Sequence, residues 1–179
     1  MRHFDLCVIG SGPAGQKAAI QAAKLGKTVC VVEKREVVGG ASVNTGTIPS
    51  KALREAILRF VARQQGMPGD ADLRTARNVA LREIRASAQH VVQLEIQMVS
   101  RHFLTNGIVL LNGTASFTDP KTVQIKGRHA VESVSADHFL IAVGTAPARA
   151  AKVEFDSEDV VTSDELLTLE CMPYSMIVV

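Results

Sequence analysis

The chain has 179 residues, of which 46% are hydrophobic and 21% charged, the composition of an ordinary globular protein. Its formal net charge of +2 gives no electrostatic case for a nucleic-acid partner. No apolar run approaches the ~20 residues that a membrane helix needs, and the first residues carry no signal-peptide core. The 3 cysteines cannot build a disulfide framework. We therefore expect a cytoplasmic protein with no membrane partner.

The first part of the chain predicts a βαβ unit of about thirty residues. Residues 4–9 are mostly apolar and run into glycines, which is typical of a strand buried on both faces of a parallel sheet. An alanine-rich helix follows, and residues 28–32 form the next buried strand, which Glu33 ends. Four residues are predicted to be the helix face that packs on this sheet: Ala14, Ala18, Ala22 and Leu25.

The rest of the chain predicts a helical hairpin and then several short strands. Residues 36–50 predict an extended loop, and two helices follow at about 51–65 and 72–106. Five strand candidates come next, at 108–111, 114–118, 123–125, 130–134 and 138–143. The predicted fold class is α/β: a Rossmann-like βαβ sheet with a long helical hairpin and a small antiparallel β-meander.

Gly10, Gly12 and Gly15 match the pattern G-x-G-x-x-G between the predicted strand and helix, with Glu33 about twenty residues further on. The first glycine allows a tight turn, the second lets the backbone approach a pyrophosphate, and the third lets helix and strand pack closely. The helix N-terminus offers N–H groups to phosphates, and Glu33 would accept hydrogen bonds from adenosine ribose hydroxyls. The pattern predicts a dinucleotide site and leaves open whether FAD or NAD occupies it. The alternative is that these glycines only form a tight strand–helix turn.

Residues 38–53, Val-Gly-Gly-Ala-Ser-Val-Asn-Thr-Gly-Thr-Ile-Pro-Ser-Lys-Ala-Leu, resemble the flavin-site signature of the pyridine nucleotide–disulfide oxidoreductases. Residues 10–15 match the FAD fingerprint of that family, 112–117 resemble its second adenine-side contact, and 142–145 resemble the motif that ends its FAD half. The resemblance implies FAD as the cofactor. It implies these cofactor-binding residues: Gly10, Ser11, Gly12, Pro13, Ala14, Gly15, Glu33, Lys34, Gly39, Gly40, Ala41, Ser42, Lys51, Ala115, Val143, Gly144 and Thr145.

Ser42 and Thr47 stand where the disulfide enzymes of this family carry two cysteines. A hydroxyl cannot cycle between thiolate and disulfide, and Cys7 and Cys30 lie in predicted buried strands. With threonine at the second position, the loop resembles that of the transhydrogenase branch, although that branch usually keeps the first cysteine. The resemblance implies an oxidoreductase that passes hydride between NADPH and NAD through FAD, without a redox disulfide. The alternatives are another NAD(P)H flavoprotein reductase of the family that lacks the dithiol, and an FAD-binding module without turnover.

Lys51 has two interpretations. The pattern alone indicates a solvated charge in the first turn of a helix. The resemblance implies that it is the lysine beside the flavin ring, paired with a carboxylate. A cation at that place tunes the cofactor. The 5 histidines lack metal-ligand spacing, so no metal is predicted. No residue is predicted to be catalytic.

The resemblance also predicts the domain organisation. Residues 1–150 are expected to be the first segment of an FAD-binding domain. Residues 151–174 are expected to be a connecting segment, and residues 175–179 the first strand of an NAD(P)-binding domain. Three parts are expected outside these residues: the rest of that domain, a returning FAD segment and a C-terminal domain that makes a homodimer. The parent protein is expected to use NAD and NADPH. Whether the chain is a fragment or a naturally short product stays open. We expect these residues alone to give no turnover.

Overall fold

The computed structural model describes residues 1–64, 73–149, 153, 159–171 and 173–178. The chain divides into two compact units. The first, here called the sheet unit, comprises Met1–Asn44 and Leu94–Thr145, and the second, the helical unit, comprises Thr45–Gln93 and Ala146–Val179. Residues 175–178 pair with no strand in the described part of the chain. The domain boundaries given above therefore stay predictions.

The sheet unit holds one sheet of six strands, which are β1 (Arg2–Ile9), β2 (Val29–Glu33), β3 (Val109–Asn112), β4 (Thr114–Asp119), β5 (Thr122–Lys126) and β6 (Val131–Ile141). Their order is β3-β2-β1-β6-β5-β4. The first four strands in this order pair in parallel, and β6, β5 and β4 pair antiparallel. The predicted α/β fold class with an antiparallel meander is confirmed.

Two details of the predicted meander are wrong. Residues 108–111 were expected to open it, but β3 pairs in parallel with β2 and is an edge strand of the parallel part of the sheet. Residues 130–134 and 138–143 were expected to be two strands, but most of them form the single strand β6. The first part of β6 pairs with β5 and the later part pairs with β1, so one long strand serves both neighbours. The polar residues 137 and 138 are an exposed stretch of that strand rather than a turn.

The two faces of the parallel strands carry different cores, because successive side chains of a strand point to opposite faces. On one face the buried residues include Cys7, Cys30, Val123 and Ile125, which join the parallel strands to the meander. On the other face they include Val8, Val31, Ala19 and Phe103, which join the strands to helices α1 (Pro13–Lys24) and α4 (Leu73–Thr105). The sheet unit is therefore covered on both faces.

The predicted packing face of α1 is wrong by one position over most of its length. Ala14 is exposed and Leu25 is 70% exposed, whereas Gly15 and Ala19 are buried, and only Ala22 of the predicted set packs against the core. The rotation of the helix is fixed by Gly15, because a Cβ atom there would lie 2.0 Å from the carbonyl oxygen of Gly10.

The two predicted long helices are confirmed as α3 (Thr47–Gln64) and α4. Helix α3 begins four residues earlier than expected and holds Pro49 in its first turn, where a missing N–H costs no helical hydrogen bond. A short helix, α2 (Gly40–Asn44), lies inside the predicted loop. A single 3₁₀ turn, Glu165–Thr168, belongs to the helical unit. Among the helices of the described residues, none has both the length and the apolar character needed to cross a bilayer.

The carboxylate of Asp5 in β1 is stabilised by hydrogen bonds from Thr28. The hydroxyl and N–H of Thr28 donate hydrogen bonds to its Oδ2 at 2.6 and 2.7 Å, and they lower the pKa of Asp5 below 3.8. Because the pKa is lower in the folded state, the stabilisation is present above pH 3.8 and is lost as the pH falls through the folded-state pKa. We expect Asp5→Asn to lower the melting temperature at neutral pH and to approach wild type well below pH 3.8, as measured by thermal unfolding over a pH series. Glu83→Gln, at an exposed position, is the control, and a deficit of equal size at every pH would contradict the prediction.

Candidate functional site

The segments that follow the parallel strands meet at one edge of the sheet unit. The N–H of Gly10, after β1, donates to the carbonyl of Val32 at 2.8 Å, and the N–H of Ala142, after β6, donates to the carbonyl of Ile9 at 2.8 Å. The N–H of Gly113 donates to the carbonyl of Glu33 at 2.9 Å. Ligands of open α/β sheets bind at the carboxyl ends of the strands. This edge holds residues 10–15, 33–42, 113–115 and 142–145, in which most of the predicted cofactor-binding residues lie.

Two of the three fingerprint glycines are required by the protein itself. Gly10 has φ +107, and a Cβ atom on it would lie 2.3 Å from the carbonyl oxygen of Ala142. A Cβ atom on Gly15 would lie 2.0 Å from the carbonyl oxygen of Gly10. Neither backbone oxygen can move aside without breaking the turn. A side chain at either position is therefore excluded by the fold.

Gly12 is different, because none of the described residues requires a glycine there. Its φ is −68, a value that any residue adopts, and the nearest atom to an added Cβ is the Cα of Gly40, at 3.9 Å. A side chain at Gly40 is excluded, because a Cβ atom there would lie 2.7 Å from the Cα of Gly12. The space beside Gly12 is therefore open to a group that approaches from outside the protein.

The N-terminus of α1 begins at this open position. Gly12 is the N-cap residue and Pro13 is the first helical residue. No side chain caps the helix, and its first turn contains no acidic residue. The first N–H groups of a helix lack partners within it and carry a partial positive charge. The arrangement fits a phosphate group at Gly12, Pro13 and Ala14.

Glu33 lies at the end of β2 and is buried by its hydrogen-bond partners. Its Oε2 accepts hydrogen bonds from the hydroxyl of Ser11 at 2.5 Å and from the N–H of Ser11 at 3.0 Å. Its Oε1 accepts one from the N–H of Arg35 at 2.9 Å. Ser11 is fully enclosed, so the structure gives it no surface for a ligand. Its hydroxyl also accepts a hydrogen bond from the N–H of Gly39 at 3.1 Å.

The other predicted site residues of the sheet unit lie around this cluster. Lys34 is exposed directly after β2, Ala41 is exposed in α2, and Ser42 is half-buried there. Ala115 is half-buried in β4, and Val143, Gly144 and Thr145 are exposed after β6. Except for Lys51, which belongs to the helical unit, the predicted site residues lie at the end of β2, in the segments that follow β1, β2 and β6, or in the neighbouring α2 and β4.

Lys51 lies in α3 and its side chain is exposed. It forms no ion pair with the residues that the structure describes. Its place beside a flavin ring stays a prediction from the resemblance.

Asn44 is a site residue that the sequence analysis missed. Its side-chain amide donates to the carbonyl oxygens of Val38 at 3.0 Å and Gly40 at 2.9 Å, and so closes the glycine loop between β2 and α2. Asparagine commonly forms such bonds to nearby backbone, so its position within a glycine-rich segment was an available signal.

The described cysteines offer no thiolate chemistry at this edge. Cys7 and Cys30 lie opposite each other on β1 and β2, and both are fully buried. The hydrogen bond with Cys7, together with burial, raises the pKa of the Cys30 thiol far above its ordinary value. Cys171 is exposed in the helical unit. Among the described residues, no group of three or more His, Cys, Asp and Glu side chains is placed to hold a metal ion.

The chain is similar to known proteins of one family. The family model of the pyridine nucleotide-disulphide oxidoreductases matches residues 4–179. The chain belongs to this family. It is 44% identical to the soluble pyridine nucleotide transhydrogenase of Mycobacterium bovis (strain BCG / Pasteur 1173P2), across 100% of the chain and 39% of that protein. It is 35% identical to the soluble pyridine nucleotide transhydrogenase of Pseudomonas aeruginosa (strain LESB58), across 98% of the chain and 38% of that protein.

Solved structures of the same fold are similar over nearly the whole chain. The HOCl-induced flavoprotein disulfide reductase RclA from Escherichia coli, in its Cu(II) complex, superposes with a TM-score of 0.76 at 21% identity. The match covers 97% of this chain and 36% of RclA. At this identity the likeness concerns the fold. The chain thus spans about two fifths of the length of the curated relatives that it matches.

The different surroundings of Gly12 and Gly15 predict different effects of substitution on the stability of the ligand-free protein. We expect Gly15→Ala to lower the melting temperature by several degrees, because the new methyl group collides with the carbonyl of Gly10. Gly12→Ala should leave the melting temperature near that of wild type, since its methyl group makes only an ordinary van der Waals contact, with the Cα of Gly40 at 3.9 Å. Thermal unfolding of both variants in flavin-free protein makes the comparison, and equal destabilisation by the two would show that Gly12 also serves the fold.

Proposed function

We propose that this chain is the FAD-binding part of an oxidoreductase, and that the whole protein transfers hydride between NADPH and NAD as an NAD(P) transhydrogenase. The observation that carries the proposal is the open position at Gly12, at the uncapped N-terminus of α1, beside the carboxylate of Glu33. A pyrophosphate and a ribose hydroxyl need such groups side by side.

Different residues at this edge of the sheet unit would bind different parts of FAD. The pyrophosphate would lie against Gly12 and the first N–H groups of α1, where the helix dipole favours negative charge. Glu33 would accept a hydrogen bond from the adenosine ribose, and Ala115, half-buried in β4, would line the adenine side. Val143, Gly144 and Thr145 would contact the cofactor beyond the pyrophosphate. When bound, FAD supplies the two-electron carrier that links one nicotinamide nucleotide to the other.

The charge of Glu33 supports an unphosphorylated adenosine ribose. Its carboxylate is buried and already accepts three hydrogen bonds from the protein, so a 2′-phosphate beside it would add a second negative charge in a poorly solvated place. FMN lacks the adenosine that would reach Glu33. The site is therefore expected to prefer FAD over FMN.

The choice of hydride transfer over disulfide chemistry rests on residue types and on the named relatives. Ser42 and Thr47 carry hydroxyls where the resemblance places redox cysteines, and Cys7 and Cys30 are enclosed in the sheet. Relatives at 44% and 35% identity are named soluble pyridine nucleotide transhydrogenases. From the family resemblance we also propose that the whole protein is a cytoplasmic homodimer that uses NAD and NADPH. Another NAD(P)H flavoprotein reductase without the dithiol is the alternative, and direct assay of NADPH-dependent reduction of an NAD analogue distinguishes the two.

Gly12→Val tests the cofactor site. The larger side chain would fill the space reserved for the pyrophosphate, so we expect the affinity for FAD to fall by roughly 100-fold or more, with the fold retained. Equilibrium titration followed by flavin fluorescence measures the affinity, and circular dichroism checks the fold. Gln124→Val, at an exposed position of β5, is the matched control. Normal FAD binding by folded Gly12→Val would contradict the assignment of the phosphate site.

Thiol alkylation tests the absence of cysteine chemistry. Cys7 and Cys30 are fully buried in the native fold, so a reagent should reach exposed Cys171 first. We expect hydride transfer by the FAD-loaded full-length parent protein to be unchanged after alkylation, with the modified residue identified by mass spectrometry. Strong inactivation that Cys171→Ser abolishes would show that a thiol takes part.

A further inference from the structure

Ser11 connects three segments of the candidate site through one hydroxyl group. The hydroxyl donates a hydrogen bond to Glu33 Oε2 at 2.5 Å and accepts one from the N–H of Gly39 at 3.1 Å. The turn after β1, the end of β2 and the glycine pair before α2 therefore meet at this atom. Ser11 is fully buried, so the hydroxyl has no contact with bulk water.

The carboxylate of Glu33 has little freedom left. An ionised carboxylate offers about four acceptor positions, and Glu33 uses three of them on Ser11 N–H, Ser11 Oγ and Arg35 N–H. Roughly one position remains for a group from outside. The direction of that position depends on the rotamer of Glu33, and the hydroxyl of Ser11 is the side-chain group that fixes it.

We propose that Ser11 is a positioning residue for dinucleotide recognition: its hydroxyl orients Glu33 so that the free acceptor position meets a hydroxyl of the adenosine ribose. The proposal rests on the proposed function, namely that FAD binds at this edge. It gives Ser11 a role without ligand contact, which agrees with its complete burial.

Ser11→Ala isolates this role, because the backbone contacts of residue 11 survive the substitution. The N–H of Gly39 also donates to the carbonyl of Ser11 at 3.2 Å, and the N–H of Ser11 still reaches Glu33. Alanine therefore removes the orienting hydroxyl and leaves the glycine loop held by its backbone. The variant should lose ribose recognition while keeping the phosphate site.

The experiment compares two ligands in each variant of the purified protein: FAD, and an FAD analogue that lacks both ribose hydroxyls of its adenosine. We expect Ser11→Ala to weaken FAD binding by roughly tenfold and analogue binding by less than about twofold. A ratio of affinities in one protein does not depend on the fraction folded. Ser100→Ala, which removes a hydroxyl bonded to a helix carbonyl on α4, is the control and should leave both affinities unchanged.

A double-mutant cycle shows whether Ser11 acts through Glu33. The variant that combines Ser11→Ala with Glu33→Ala should bind FAD no more weakly than Glu33→Ala alone, because the carboxylate that Ser11 orients is already absent. If Ser11→Ala does not fold, Ser11→Cys takes its place, since its weaker S–H donor should shift the FAD-to-analogue ratio in the same direction.

Three results would overturn the proposal. Equal losses for FAD and the analogue, or additive losses in the double variant, would mean that Ser11 supports the loop without orienting Glu33. Wild-type affinities for both ligands in Ser11→Ala would mean that the hydroxyl has no part in recognition. Failure of wild-type protein to bind FAD at all would instead reject the proposed function itself, together with this role.

Discussion

The contact between Gly15 and the carbonyl of Gly10 is the constraint on which the site depends. A Cβ atom at residue 15 would lie 2.0 Å from that oxygen, so α1 can approach the end of β1 only with glycine there. This approach sets the rotation of the helix, turns Ala19 into the core and brings the helix N-terminus to the sheet edge. The open side of Gly12 follows from the same geometry.

The glycines of the G-x-G-x-x-G motif therefore have two different roles. Gly10 and Gly15 are required because backbone atoms occupy the space of a side chain, whereas Gly12 leaves space that the protein does not use. Burial follows the same division: Ser11 and Glu33 are enclosed and held by hydrogen bonds, while Val143 is 64% exposed beside them. The edge thus combines a rigid inner layer with an accessible outer layer, an arrangement that limits the ordering needed when a ligand binds.

Local patterns in the sequence predicted the βαβ unit and the glycine turn of the candidate site, because the glycine spacing, the buried strands and Glu33 are close along the chain. Strand pairing was less predictable. The parallel partner of β3 and the double pairing of β6 depend on residues far apart in sequence, which no local period encodes. The apolar spacing of α1 predicts the wrong face, because it does not encode the contact between Gly15 and the carbonyl oxygen of Gly10. The roles of Ser11 and Asn44 depend on neighbours that only the folded chain brings together.

The most direct measurement is a crystal structure of the protein with FAD bound. The account predicts the pyrophosphate within hydrogen-bond distance of the first N–H groups of α1, with no side chain between it and Gly12. It also predicts an adenosine ribose hydroxyl on the carboxylate of Glu33. A cofactor bound with its pyrophosphate away from α1, or with Glu33 still making only its protein contacts, would contradict it.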